Sequence, residues 1–160
     1  MENKIIEWTQ LLSVRENAKA KNKKVVFTNG VFDLLHRGHV EYLQEAKELG
    51  DILIIGLNSD ISVHFIKGLK RPLVNQEDRA IVLSALACVD YIVLFDQDTP
   101  AKLIEYIMPD ILVKGADYTV EQIAGADAVL ENGGQVIPIR LTPGKSTTEL
   151  IKKIVDIYGK

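Results

Sequence analysis

Hydrophobic and polar positions follow two patterns that alternate along the chain. Short runs of consecutive apolar residues predict strands buried on both faces, and the runs lie at residues 24–28, 52–57, 91–95, 111–114 and 135–139. Apolar residues spaced three or four apart predict helices, beginning with an N-terminal helix at about residues 5–20. Further helices are predicted after Asp60 and at residues 38–49, 75–88, 99–107, 126–131 and 147–158.

Strands that alternate with helices predict an α/β fold. We expect a Rossmann-like, doubly wound, mostly parallel five-stranded sheet with helices on both faces. Pro138 in the last run cannot donate a ladder hydrogen bond, so it favours an edge strand. The chain has 160 residues and shows no internal repeat or dividing linker, so residues 1–160 are expected to form a single domain.

Composition narrows the classes of protein. The net charge of −3 gives no basic footprint, so we expect no nucleic-acid partner. No apolar run approaches the roughly 20 residues that a membrane span needs, and the mixed-charge N-terminus does not resemble a secretory signal. The single cysteine, Cys88, excludes an intramolecular disulfide. We therefore expect a cytoplasmic protein with no membrane partner.

Polar and glycine-containing segments come directly after four of the five predicted strands. They lie at residues 28–39, 58–60, 114–118 and 142–148. Ligands of doubly wound folds bind at the carboxyl ends of the strands. The segments are therefore predicted to share one site.

The first of these segments carries two histidines around a glycine at the start of a helix. Helix amides and the helix dipole favour anions there, and Gly38 lets a ligand approach the backbone closely. His36 and His39 are three residues apart and lie on one side if the turn is helical. A lone histidine is usually an ordinary surface or core residue, but the pair in this position predicts a polyphosphate site.

Two further segments offer phosphate contacts and also have plain structural explanations. The loop at residues 67–73 contains three cations, which either form a solvated surface or close over a phosphate through Lys70 or Arg71. Ser146 and Glu149 fit a helix capping box. The hydroxyls and amides at that helix start, including Thr147, are equally suited to bind phosphate.

Two motifs carry a resemblance to a known superfamily. Residues 36–39 resemble the H-x-G-H signature of the nucleotidyltransferases, and residues 30–33 resemble their G-x-F-D segment. From about residue 23 to residue 154 the sequence is similar to the D-glycero-D-manno-heptose 1-phosphate adenylyltransferase family. That family occurs as half of a bifunctional kinase–transferase or as a separate protein. Without a kinase-sized region, this chain resembles the stand-alone form, a single nucleotidyltransferase domain.

The resemblance implies a reaction and its partners. AMP would move from ATP to a heptose 1-phosphate, giving ADP-heptose and pyrophosphate. Mg²⁺ is expected with ATP and would be held largely by phosphate and water, with no organic cofactor. No residue is assigned as a metal ligand. Both a monomer and a homo-oligomer stay open as states of the protein.

The resemblance also implies roles for individual residues. The catalytic group comprises His36, His39, Lys70 and Arg79. The nucleotide-binding group comprises Thr28, Asn29, Gly30, Val31, Phe32, Gly38, His39, Lys114, Gly115, Asp117, Tyr118, Ser146 and Thr147. The acceptor-binding group comprises Asp33, Asn58, Asp60 and Arg71, although the nucleotide and the metal are alternative partners for Asp33.

Two other functions compete with this reading. A cytidylyltransferase acting on a polyol or amino-alcohol phosphate shares the histidine motif and the Ser-Thr-Thr segment. A non-catalytic nucleotide-binding module would keep the fold without turnover. Five intact residues argue against it: His36, His39, Lys70, Arg79 and Ser146.

Overall fold

The computed structural model describes residues 3–116 and 119–159. Within these residues five strands form one sheet: β1 (Val25–Gly30), β2 (Ile52–Asn58), β3 (Tyr91–Phe95), β4 (Ile111–Gly115) and β5 (Gln135–Ile139). The α-helices in the same part of the chain are α1 (Trp8–Ala20), α2 (Arg37–Glu48), α3 (Asp60–Lys67), α4 (Gln76–Ser84), α5 (Ala101–Ile107), α6 (Ala126–Glu131) and α7 (Thr147–Tyr158). None of the helices described is long and apolar enough to cross a membrane.

The sheet is parallel throughout and has the order β3-β2-β1-β4-β5. The chain builds outward from β1 to β3, then returns to the other side of β1 for β4 and β5. The order therefore reverses between β1 and β4, which is where doubly wound folds bind ligands. Pro138 lies in β5 at the edge of the sheet, as its missing amide hydrogen predicts.

Helices cover both faces of the sheet, which confirms the predicted doubly wound α/β class. Successive strand side chains point to opposite faces. Phe27 of β1 packs in one core cluster with Leu11 of α1 and Leu103 of α5. Val26 packs on the other face in a second cluster with Leu43 of α2 and Leu83 of α4.

Three helices have an end that differs from the predicted end by two or more residues. The first helix begins at Trp8 because Ile5 forms a parallel bridge with Ile92 at the sheet. The helix that begins after Asn75 ends at Ser84, whose hydroxyl donates to the carbonyl of Ile81 in its last turn.

The third difference is at α5, where Pro100 is the N-cap and does not belong to the first helical turn. A short 3₁₀ helix at Val120–Gln122 is an element that the apolar pattern does not predict. Gly50 follows Leu49, the C-cap of α2. A Cβ atom at Gly50 would lie 2.7 Å from Cγ2 of Val26, so close packing explains this glycine.

Candidate active site

Two adjoining cavities open at the carboxyl ends of the strands, where the strand order reverses. We call them the strand-end cavity, of about 450 Å³, and the histidine cavity, of about 300 Å³. Both volumes lie within the roughly 300–1,000 Å³ that is usual for small-molecule sites. The two cavities share a wall formed by Asn29, Gly30, Val31, Phe32, His39, Lys67, Lys114 and Thr147.

The cavities bring together most of the site residues predicted from the sequence. Apart from Lys67, the whole shared wall consists of predicted residues. The strand-end cavity is also lined by Asp33, Asn58 and Arg71. The histidine cavity is also lined by His36, Gly38, Gly115 and Ser146.

Some predicted residues lie elsewhere. Among the described residues that line the cavities, Thr28, Asp60, Lys70 and Arg79 are absent. Thr28 and Arg79 are buried beneath the wall, and Lys70 is exposed on its loop. Direct contacts of these four with substrate therefore stay predictions. Asp117 and Tyr118, predicted beside the nucleoside, lie outside the described residues.

The two histidines form a stacked pair at the start of α2. His36 is the N-cap of the helix, and its ring centroid lies 3.9 Å from that of His39 with an interplanar angle of 24°. Gly38 lies between them, and a Cβ atom there would approach the His36 ring to 3.2 Å and Cβ of Lys145 to 3.1 Å. The absence of a side chain at Gly38 therefore lets the last loop pack against the histidine turn.

Both imidazoles are poor bases in this position. Burial, together with the neighbouring His36, lowers the pKa of His39 to about 4. Burial and the positive charge of Lys145 also lower the pKa of His36 below its ordinary value. Near pH 7 the pair is consequently neutral, and its members act as hydrogen-bonding groups without a fixed positive charge.

Hydrogen bonding assigns the proton of His39. The backbone amide of His36 donates to Nδ1 of His39 at 3.4 Å, so Nε2 carries the proton of the neutral ring. That N–H is a donor suited to a phosphate oxygen. Nδ1 of His36 is buried, and it has no hydrogen-bond partner within the described part of the chain.

The backbone between the strand and the helix is held in an unusual shape. Phe32 has a φ of +48°, in the left-handed region that costs a non-glycine residue energy. Its ring covers Gly30, where a Cβ atom would lie 2.9 Å from the ring, and it contacts His39 at 5.3 Å between centroids. Gly30 thus makes room for the aromatic side chain that supports His39.

Asp33 anchors the cationic loop to this turn. Its carboxylate accepts hydrogen bonds from the amides of Leu73 and Val74 and from Nε of Arg71, the last at 2.6 Å. Burial raises the pKa of Asp33, but these amides and the Arg71 guanidinium outweigh it and lower the pKa overall. This anchoring role within the protein is not among the partners predicted for Asp33, which are the acceptor, the nucleotide and the metal.

Arg79 ties three segments together beneath the cavities. Its side chain is fully buried and donates to the carbonyls of Val74 and Val31 at 2.9 and 2.6 Å. A third bond reaches the carboxylate of Asp60 at 2.7 Å. A guanidinium used in this way fixes the end of the cationic loop relative to the floor of the site.

Two other polar contacts stabilise the floor. The hydroxyls of Thr28 and Tyr42 are hydrogen-bonded at 2.7 Å inside the core. Nζ of Lys114 donates to Oδ1 and to the backbone carbonyl of Asn29, at 3.0 and 3.3 Å. Because β1 and β4 are neighbours, this contact spans the point where the strand order reverses.

The start of α7 forms the opposite wall of the histidine cavity. Ser146 is its N-cap and accepts a hydrogen bond from the amide of Glu149 at 3.1 Å, as the capping pattern predicts. The hydroxyl of Thr147 lies 3.4 Å from the carbonyl of Leu34, which joins this wall to the histidine turn. The positive end of a helix therefore faces the two histidines.

Two lysines, Lys67 and Lys145, line the cavities but are not among the predicted site residues. Lys67 ends α3 and lines both cavities, and Lys145 precedes α7 and lines the histidine cavity. Each belongs to a segment recognised in the sequence. Nearly half of the chain separates the two lysines, so the sequence does not show that they line the same cavity.

A divalent metal is expected in such a site because it accompanies nucleoside triphosphates. No group of three or more histidine, cysteine, aspartate or glutamate side chains within residues 3–116 and 119–159 is arranged to hold a metal ion. The carboxylate of Asp33, which lines the strand-end cavity, is already bound to protein donors. The residues that line the cavities therefore fit a divalent ion that is held by the phosphates of its nucleotide and by water.

A larger groove, of about 1020 Å³, lies at the amino ends of β2 and β3, opposite the two cavities. It is lined by the starts of β2 and β3 and by the ends of α1 and α4, including Lys21, Ile52, Ala85 and Tyr91. Its lining includes Lys4, Lys21 and Lys23, but it lies at the amino ends of the strands, whereas doubly wound folds bind ligands at the carboxyl ends. The smaller pair of cavities is therefore the candidate site for a phosphorylated ligand.

The fold and the site define a Rossmann-like α/β domain with a small-molecule site where its strand order reverses. The chain belongs to the cytidylyltransferase-like family, whose sequence model matches residues 27–153. This match confirms the resemblance seen in the H-x-G-H and G-x-F-D motifs.

Bacterial relatives extend the comparison. The chain is 54% identical over 150 residues to the bifunctional protein HldE of Geobacter metallireducens, covering 94% of this chain and 31% of that protein. It is 56% identical over 139 residues to the bifunctional protein HldE of Citrifermentans bemidjiense, covering 87% of this chain and 28% of the relative. The chain thus spans about a third of the length of these relatives.

Solved structures agree on the fold. A lipopolysaccharide core biosynthesis protein from Thermoplasma volcanium is 31% identical, with a TM-score of 0.60 over 75% of this chain and 97% of its own. A pantoate–β-alanine ligase from Francisella tularensis, solved with βγ ATP and β-alanine, has a TM-score of 0.61 at 18% identity, over 98% of this chain and 79% of its own. The second likeness shows the fold alone.

Proposed function

We propose that the chain is an adenylyltransferase that moves AMP from ATP to a heptose 1-phosphate. The observation that carries the proposal is the stacked, neutral histidine pair facing the N-terminus of α7 across one cavity. Such an arrangement offers hydrogen-bond donors and a helix dipole to phosphate oxygens from two sides. The identity to bifunctional HldE proteins and to a lipopolysaccharide core biosynthesis protein supports the heptose acceptor.

The proposed reaction is a single displacement. An oxygen of the sugar phosphate attacks the α-phosphorus of ATP, the bond from that phosphorus to the oxygen bridging it to the β-phosphate breaks, and pyrophosphate leaves. No side chain forms a covalent bond, so alignment and stabilisation of charge are the contributions of the protein. The N–H groups of His36 and His39 would donate to phosphate oxygens as negative charge shifts toward the leaving group.

The other residues are proposed to hold the two substrates. Ser146 and Thr147, with the amides of α7, would bind the phosphates that leave as pyrophosphate. Asn29, Gly30 and Lys114 would border the nucleoside. Asn58 and Arg71 line the strand-end cavity and are suited to the sugar phosphate.

Mg²⁺ is proposed to enter as part of the MgATP substrate and to be held by phosphate and water. Within this proposal Lys70 acts only after its loop moves toward the site, and Arg79 acts by positioning. A cytoplasmic location is proposed because ATP is available there, and residues 1–160 are proposed to form one domain.

The test is a matrix of nucleotides and acceptors with pyrophosphate release as the readout. ATP and CTP are each combined with heptose 1-phosphate, a hexose 1-phosphate and glycerol 3-phosphate, with Mg²⁺ throughout. We expect the highest kcat/KM with ATP and heptose 1-phosphate. Preference for CTP and glycerol phosphate would favour the cytidylyltransferase alternative, which the family description supports. Nucleotide binding without turnover on any acceptor would favour a binding module.

A further inference from the structure

The histidine cavity lacks a fixed positive charge on its histidines. Both rings have lowered pKa values, through burial first and neighbouring charge second. Two stacked imidazoles at 3.9 Å also oppose each other's protonation. A triphosphate and its leaving pyrophosphate keep a net negative charge even with one Mg²⁺ bound, so a protein cation beside the histidines would complete the charge balance.

Three lysines line this cavity, and they differ in their partners. Lys114 is bound to Asn29 in the floor. Lys67 lies at the carboxyl end of α3 and borders both cavities. Lys145 makes no hydrogen bond or ion pair within the residues that the structure describes, and it directly precedes the N-cap of α7.

Lys145 also packs directly against the histidine turn. Its Cβ atom lies over Gly38, at 3.1 Å from where a Cβ of that residue would be. Its charge contributes to the lowered pKa of His36 and, after Thr142 and Arg37, to that of Glu41. The Glu41 carboxylate is already bound by Thr142 and Arg37, so it leaves the ammonium of Lys145 available.

We propose that Lys145 is a phosphate-binding residue of the site and supplies the positive charge beside the histidine pair. Its ammonium contacts the phosphate group that lies between His36 and the N-terminus of α7, and it neutralises the pyrophosphate as it leaves. The proposal rests on the proposed nucleotidyl transfer and adds a residue to it. A lysine is suited to this task as a compact charge on a flexible stem.

The experiment compares calorimetric titrations of Mg-ATP, Mg-pyrophosphate and AMP into four proteins. They are the wild type, Lys145→Met, Lys145→Arg and the control Lys152→Met, which removes an equal charge from an exposed position within α7. We expect Lys145→Met to weaken ATP and pyrophosphate binding by about 10- to 100-fold, as for a lost charge-assisted hydrogen bond. AMP binding should change by less than about 2-fold, and the other two variants should resemble the wild type.

The possible results separate the two proposals. Wild-type protein that binds neither ATP nor pyrophosphate would overturn the proposed function and this inference with it. Wild-type binding that Lys145→Met leaves unchanged, or an equal loss for AMP, would overturn only the role of Lys145.

An NMR titration of His36 is a second measurement. Its pKa should rise in Lys145→Met because a neighbouring positive charge is removed, and an unchanged pKa would contradict the placement of the ammonium.

Discussion

The histidine cavity has two unlike walls. The turn between β1 and α2 rests on buried polar groups, among them Asp33 and Arg79, and the side chain of Arg79 has 0% exposure. The opposite wall is the start of α7, a 12-residue helix with no buried residue among those described. One wall therefore has a fixed geometry, and the other is held by few contacts. We infer that the histidine turn orients the phosphate groups of the substrate, and that the wall at α7 supplies a positive charge whose position can adjust.

The largest effect is expected when the rigid wall loses its support. Arg79→Met removes a buried guanidinium and leaves two carbonyls and Asp60 without a partner. We expect a loss of about 3 kcal/mol in the free energy of unfolding, the low end for a broken buried pair, because Asp60 is partly exposed. Urea denaturation measures it. Lys70→Met, which removes an exposed cation, is the control, and equal stability of the two variants would argue against the positioning role of Arg79.

Removal of a histidine tests the chemistry of the same wall. His39→Ala deletes the Nε2 donor and should lower kcat by about 10²-fold or more, as for a group that stabilises transition-state charge. Pyrophosphate release measures the effect at saturating substrates. His64→Ala serves as the control because His64 is exposed and outside both cavities. An unchanged kcat in His39→Ala would refute the role given to this histidine.

The Asp33 anchor should give the rigid wall a pH dependence. The pKa of Asp33 is lowered in the folded protein from an unfolded value near 3.8, so its stabilisation is present above that value. It should be lost as the pH falls from about 4 through the lower folded pKa. Asp33→Asn should cost about 2 kcal/mol at pH 7 and much less at pH 2. Urea denaturation of both proteins across this range measures it, and a constant difference would contradict the anchor.

The smallest effect is expected in the loosely held wall. Ser146→Ala removes the N-cap hydrogen bond to Glu149 and should cost about 1 kcal/mol of local helix stability. Amide hydrogen exchange should accelerate in the first turn of α7 and stay unchanged in α2. Equal acceleration in both helices would contradict the view that the two walls are stabilised independently.

Several parts of this account follow from the sequence. The strands and their alternation with helices are predictable because buried parallel strands are apolar throughout. The histidine turn is predictable because His36, Gly38 and His39 come at the junction of a predicted strand and a predicted helix. The capping role of Ser146 follows from its spacing to Glu149.

Other parts depend on tertiary structure. The sequence shows a charge at Arg79 but not its burial, which arises because Val31, Val74 and Asp60 surround it. The approach of Lys145 to His36 joins residues more than 100 positions apart, through the packing of a loop over Gly38.

The central claim is that the α-phosphate of ATP is transferred to the acceptor. The most direct measurement follows the fate of ATP labelled at the α-phosphate or at the γ-phosphate, incubated with heptose 1-phosphate and Mg²⁺. We expect the α-label to enter the nucleotide sugar and the γ-label to leave in pyrophosphate. Transfer of the γ-label to the sugar, or no transfer of either label by well-folded protein, would contradict it.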